Sequence, residues 1–107
     1  MIGGIILTDQ KTVIVRALGP TLTQFGVANA LHDPALELRN AQGTLVDSND
    51  NWHSSPKSAQ IQASGLAPPD PAEPAVLATI PMANYTAIVR GVGATPTGLA
   101  LLEIYPQ

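Results

Sequence analysis

Apolar stretches of four to eight residues recur along the chain, separated by short polar or Gly/Pro-containing breaks. That spacing predicts strands joined by turns. Residues 12–18 are β-branched and apolar and close at Gly19-Pro20. With the apolar run 5–8 and the polar Asp9-Gln10-Lys11 between them, they predict a hairpin. The near-continuous apolar character of both runs predicts strands buried on most of both faces or central in a sheet. Residues 35–39 alternate, Leu36 and Leu38 to one side, Glu37 and Arg39 to the other. Asn40-Ala41-Gln42-Gly43 then reads as a tight turn and 44–48 as the returning strand. Further strands are predicted over 75–80, 85–92 and 99–105, with turns at 81–84 and 93–98.

The connections are less regular. Residues 21–26 predict one helical turn stopped by Gly26, with Phe25 pinning that loop to the core. Ser55-Pro56 reads as a cap with proline at the first helical position, opening a short helix over 57–64 that ends at Gly65. The proline-rich stretch 68–74 predicts a stiff extended crossover. Thr12-Val13-Ile14-Val15-Arg16-Ala17-Leu18-Gly19 echoes Thr86-Ala87-Ile88-Val89-Arg90-Gly91-Val92-Gly93, which suggests two strands in similar sheet environments, each with one arginine at the same parity. The expectation is a single domain over residues 1–107: an all-β, antiparallel β-sandwich of about seven strands with one short helix.

Composition narrows the function. Hydrophobic residues make up 45% of the chain and charged residues only 12%, which excludes a disordered tail and a coiled coil. Aromatics are 4%, so the core is aliphatic. Five Lys and Arg against a net charge of −3 exclude an ordinary nucleic-acid binder. There are no cysteines, hence no disulfide, thiolate metal site or cysteine nucleophile. No apolar run reaches the roughly 18 residues of a membrane helix. The N-terminal residues lack a positively charged region, so no signal peptide is expected in them.

The residues with chemistry cluster after the central hairpin. Asp47-Ser48-Asn49-Asp50-Asn51 gathers two carboxylates and two amides at a strand end. Hard cations such as Ca²⁺ take six to eight oxygen ligands from such groups, although the spacing is not that of an EF-hand. The same residues also suit an Asx-turn that satisfies backbone N–H groups. His53, with Asp50 and several serines nearby, offers the parts of a hydrolytic site, but no Gly-x-Ser-x-Gly elbow accompanies it. His32 and His53 have no third ligand at a spacing that suits zinc. Arg16 and Arg90 are expected to pair across strands with Glu37 or Glu103 rather than to hold an anion. Trp52 is expected to pack on the short helix near Ile61 rather than to stand exposed as a sugar platform.

Two resemblances follow from particular blocks. Residues 36–51, Leu36-Glu37-Leu38-Arg39-Asn40-Ala41-Gln42-Gly43-Thr44-Leu45-Val46-Asp47-Ser48-Asn49-Asp50-Asn51, with Ala83-Asn84-Tyr85-Thr86-Ala87-Ile88-Val89-Arg90-Gly91 and residues 99–105, resemble bacterial pre-peptidase C-terminal (PPC) domains. Val15-Arg16-Ala17-Leu18-Gly19-Pro20-Thr21-Leu22, Asn49-Asp50-Asn51-Trp52 and Tyr85-Thr86-Ala87-Ile88-Val89-Arg90-Gly91 are similar to the hallmark blocks of an uncharacterised repeat in large secreted bacterial proteins. The PPC resemblance implies a jelly-roll-like sandwich, secretion beside an enzyme or adhesin, and Ca²⁺ at Asp47, Asn49, Asp50 and Asn51. The repeat implies a further strand before Gly3-Gly4.

The expected function is therefore a noncatalytic, calcium-stabilised accessory or adhesion module of a secreted bacterial protein, extracellular or at the cell surface. Two rival readings stand beside it. One is a small calcium-dependent hydrolase of an ester or lactone, with His53 or Asp50 as base. The other is a structural subunit that assembles edge to edge. The uncharged residues 2–7 predict an unguarded sheet edge that pairs with a second copy or a neighbouring domain.

Overall fold

A computed structural model describes residues 2–6, 11–80, 84–93 and 97–107. The chain is mostly β, in two antiparallel sheets. Strands β1 (Ile2–Ile6), β3 (Pro34–Asn40), β4 (Leu45–Asn49) and β6 (Asn84–Gly91) form one sheet in the order β1-β6-β3-β4. Strands β2 (Lys11–Leu18), β5 (Ala75–Ile80) and β7 (Leu101–Pro106) form the other in the order β5-β2-β7. Helix α1 (Pro20–Thr23) is a single turn, and α2 (Ser58–Ala63) follows a 3₁₀ turn over Trp52–Ser54. No helix among the described residues is long and apolar enough to cross a membrane.

The two sheets share one core. Val13, Val15 and Ala17 of β2, and Val76, Ala78 and Ile80 of β5, meet Leu36 and Leu38 of β3 and Tyr85, Ala87 and Val89 of β6. Period-2 alternation selects these residues, since every second side chain of a strand points to the same face. On the other face of β2, Ile14 is also fully buried, and Arg16 donates from Nη1 to the Leu66 carbonyl at 3.1 Å. The segment after α2 thus covers this sheet from outside. Trp52, Ile61 and Ala75 make a second, smaller core there. β2 is accordingly buried on both faces and central, as its composition predicts.

The β3–β4 hairpin forms where alternation places it. Asn40 Oδ1 accepts from the Gln42 and Thr44 N–H groups at 3.0 and 2.9 Å, and Gly43 takes the positive φ of +80° that the turn requires. A register shift between Leu38 and Arg39 brings Leu36 opposite Asn49. Arg16 reaches Glu103 across β2–β7 at 3.0 Å, and Arg90 reaches Glu37 across β6–β3 at 3.4 Å. Both arginines of the internal echo are therefore structural pairs. Arg16 also lies over the Tyr105 ring, its guanidinium carbon 5.2 Å from the centroid.

Four expectations are corrected. β1 and β2 are not a hairpin: β1 pairs with β6, and both edges of β2 are taken by β5 and β7. The expected turn at 9–11 lies largely outside the described residues, as do positions 81–83 of the turn at 81–84 and 94–96 of the loop at 93–98. Phe25 does not anchor its loop; it is 78% exposed, and the buried residue of α1 is Thr21. Helix α2 begins at Ser58, because Ser55 Oγ accepts the Lys57 N–H and makes a turn of its own before the helix. The stretch 68–74 is no plain extended crossover. Asp70 turns it back, its carbonyl accepting the Glu73 N–H at 3.0 Å.

That turn buries Glu73 completely. Its carboxylate accepts four hydrogen bonds: from the Gly19 N–H at 2.7 Å, the Thr21 N–H at 3.0 Å, the Thr21 hydroxyl at 2.6 Å and the Asp70 N–H at 3.0 Å. Gly19 fits because a Cβ there would run into the Leu31 carbonyl oxygen. Gly19-Pro20-Thr21 is thus the floor of a carboxylate socket.

Candidate functional site

The β3–β4 register carries the chain to the candidate site. Leu36 pairs with Asn49, so the residues before β3 and after β4 meet at one end of the sheet. Extending the register puts Ala35 opposite Asp50 and brings Asp33 diagonally near it. The geometry bears this out. Asp33 Oδ1 and Asp50 Oδ1 are both buried, and neither has a hydrogen-bond donor among the described residues. Burial pushes the Asp50 carboxyl above the usual aspartate range, and the neighbouring Asp33 carboxyl pushes it further. Two carboxyl groups in this position can bond to each other only when one carries a proton.

The four residues expected to bind Ca²⁺ are not used alike. Asp47 Oδ1 accepts the N–H of its own neighbour Ser48 at 2.8 Å. Asn49 Oδ1 accepts the Ala75 N–H at 3.1 Å and so clips the edge of one sheet to the start of β5 in the other. Asn51 takes an extended conformation before the 3₁₀ turn, and its carbonyl accepts from the Ser54 N–H and hydroxyl at 3.0 and 2.8 Å. Asp50 alone of the four has a buried side-chain oxygen without a hydrogen-bond partner among the described residues, and it stands beside the Asp33 carboxyl. Among the described residues no group of three or more His, Asp or Glu side chains is gathered as a metal site. A cation here would draw on Asp33 and Asp50, with backbone carbonyls and water supplying the remaining oxygens that Ca²⁺ requires.

Beside Asp50 lies a groove of 430 Å³, walled by Glu37 and Ser48 on the hairpin and by Ser54, Ser55 and Pro56 on the turn. Glu37 is already engaged: Arg39 and Arg90 reach it at 3.3 and 3.4 Å. Its hydrogen bond from Arg39, with the charges of both arginines, lowers its pKa. His53 is exposed and lies against Trp52, ring centroids 4.0 Å apart at 51°. Trp52 is buried as expected, on Ile61 and Ala75, but its Nε1 has no acceptor among the described residues.

Asp33 is the site residue that a reading of single segments misses. It lies 17 positions before Asp50, where Asp33-Pro34 by itself reads only as the opening of a turn. The available signal was the hairpin itself, because a turn at 40–43 brings residues 33–35 alongside 49–51, and the register shift between Leu38 and Arg39 moves that pairing on by one residue. Comparison with protein-family models, with curated proteins and with solved structures gave no match.

Proposed function

We propose that this chain is a noncatalytic accessory module, a jelly-roll-like β-sandwich of a secreted bacterial protein, held at one end by a divalent cation. The observation that carries this reading is the Asp33–Asp50 pair: two buried carboxylate oxygens on separate loops with no donor between them. A buried carboxylate oxygen without a donor is destabilising unless a proton or a cation intervenes. Bound Ca²⁺ would supply that charge and tie the entry to β3 to the exit from β4. Asp47 and Asn49 support the same corner through backbone N–H groups. The two-sheet β architecture and the low charge suit a module that works beside other domains. The module reading places the protein outside the cell or at its surface.

Thermal unfolding in Ca²⁺ and in chelator tests the proposal. Calcium at one hundred times its dissociation constant adds about 2.7 kcal/mol, a rise in Tm of roughly 10 °C for a chain of this size. Asp50→Asn, which can donate a hydrogen bond to Asp33, should raise the Tm in chelator and remove the response to Ca²⁺. Superimposable curves of the unaltered protein in calcium and in chelator would refute the reading.

A further inference from the structure

The two sheets have unequal numbers of strands, and the mismatch falls on one side. β4 runs beside β5, joined by the Asn49–Ala75 hydrogen bond, and β3 lies over β2. Four strands over three then leave β1 overhanging, with no strand among the described residues opposite it beyond β7. The core is thin there. Ala100, Leu102 and Ile104 pack on it but are only partly buried, whereas its contributions from β2, β3, β5 and β6 are buried. Leu101 and Leu99, on the opposite face of the same stretch, are 41% and 54% exposed.

The free edge of β7 can be assigned residue by residue. The Gln107 N–H bonds to the Thr12 carbonyl, and β7 pairs with β2 in the register Tyr105↔Ile14, Glu103↔Arg16. Antiparallel alternation then turns the odd-numbered residues of β7 toward β2. Leu102 and Ile104 direct their N–H and C=O groups outward. Among the described residues no other strand pairs with this edge. Its one charge is already used: Glu103 accepts from Arg16 Nε at 3.0 Å and from the Tyr105 hydroxyl at 2.7 Å. The edge therefore presents unpaired backbone groups and aliphatic side chains without an uncompensated charge, the condition that favours strand addition.

We infer that the β7 edge docks a second copy of this chain, β7 against β7 and antiparallel, in the space beneath β1. A two-fold axis at Leu102 satisfies the geometry. It sets the outward-directed Leu102 of one copy opposite Leu102 of the other, and Ala100 opposite Ile104. It sets each Leu101 opposite the other copy's Glu103, so no like charges meet and each glutamate keeps its own Arg16. The result is a continuous six-stranded sheet, in which the partly exposed core side chains of both β7 strands are covered. A two-fold contact of this kind closes at the dimer.

The test is the solution mass of the intact chain at micromolar concentration, with amide hydrogen exchange followed at two concentrations. The expected result is a dimer in which the Leu102 and Ile104 amides are protected and lose protection on dilution. Leu101→Glu places a carboxylate opposite Glu103 of the second copy, twice per dimer, and should weaken the dimer roughly tenfold. Leu101→Lys places a cation there and should leave it intact. Because Leu101 is substantially exposed, both variants keep the monomer fold, which far-UV circular dichroism verifies. A monomer mass for the unaltered chain overturns the inference. So does a dimer that protects the β1 amides instead, or one indifferent to the sign of the charge at position 101.

Discussion

Two carboxylate sites in this molecule receive opposite treatment. Glu73 is entirely buried and has a donor for every role: two backbone N–H groups and a hydroxyl from the α1 corner, and one N–H from its own turn. The Asp33–Asp50 pair buries two oxygens and supplies neither with a donor among the described residues. Glu73 needs nothing from outside, because its charge is spread over four hydrogen bonds. The aspartate pair is complete only with a proton or a cation between the two groups. One acid is thus a structural pin complete within the chain. The other is, on the reading proposed above, a joint whose strength depends on what the solution provides.

The largest effect should come from breaking the pin. Glu73→Ala leaves the buried N–H groups of Gly19 and Thr21, the Thr21 hydroxyl and the half-buried N–H of Asp70 without their acceptor. At about 1–3 kcal/mol for each unsatisfied group, the loss should be about 4 kcal/mol or more, read by urea unfolding. A loss below about 1 kcal/mol would mean that water replaces the carboxylate and that the corner is open. Calcium comes next, with the gain of about 2.7 kcal/mol given above. That gain should appear in the unaltered protein and in Glu37→Gln, and vanish in Asp50→Asn.

Acidification should separate the two sites further. Asp50 binds its proton more tightly folded than unfolded, since its pKa is raised in the native state. Its contribution to stability is therefore fully present below the unfolded pKa and is lost as pH rises through the raised folded value. In chelator, the Tm difference between the unaltered protein and Asp50→Asn should narrow as the pH is lowered from neutral. A difference that stays constant across that range would show that the two carboxyl groups do not interact. The smallest effect is expected at the groove rim, where Arg90 is 61% exposed at its side chain. Exposed ion pairs contribute little, so Arg90→Ala should leave the Tm unchanged within error.

Much of this was readable in the chain order. Leu36 and Leu38 alternating with Glu37 and Arg39, followed by Asn40 to Gly43, specify a hairpin whose turn chemistry is entirely local. The apolar faces of residues 13–17 announce a central strand, and the echo around Arg16 and Arg90 announces paired charges. Phe25 misled, because a large apolar side chain near a turn looks like an anchor. Here the short side chain of Thr21 fills that place, as its hydroxyl can reach Glu73.

By itself the sequence determined the periodicities: which segments are strands, which faces are apolar, where the hairpin turns, and that no cysteine or basic patch supports other chemistries. Only the tertiary structure decided which strands become neighbours. β1 joins β6 rather than β2, because both edges of β2 are occupied by strands from much later in the chain. The same holds for the acids. Glu73 stands in a proline-rich stretch that looks solvated, and Asp33 in an ordinary turn. Burial and donors are properties of position in three dimensions, so only the packed chain could set one acid in a complete socket and leave the other two facing each other.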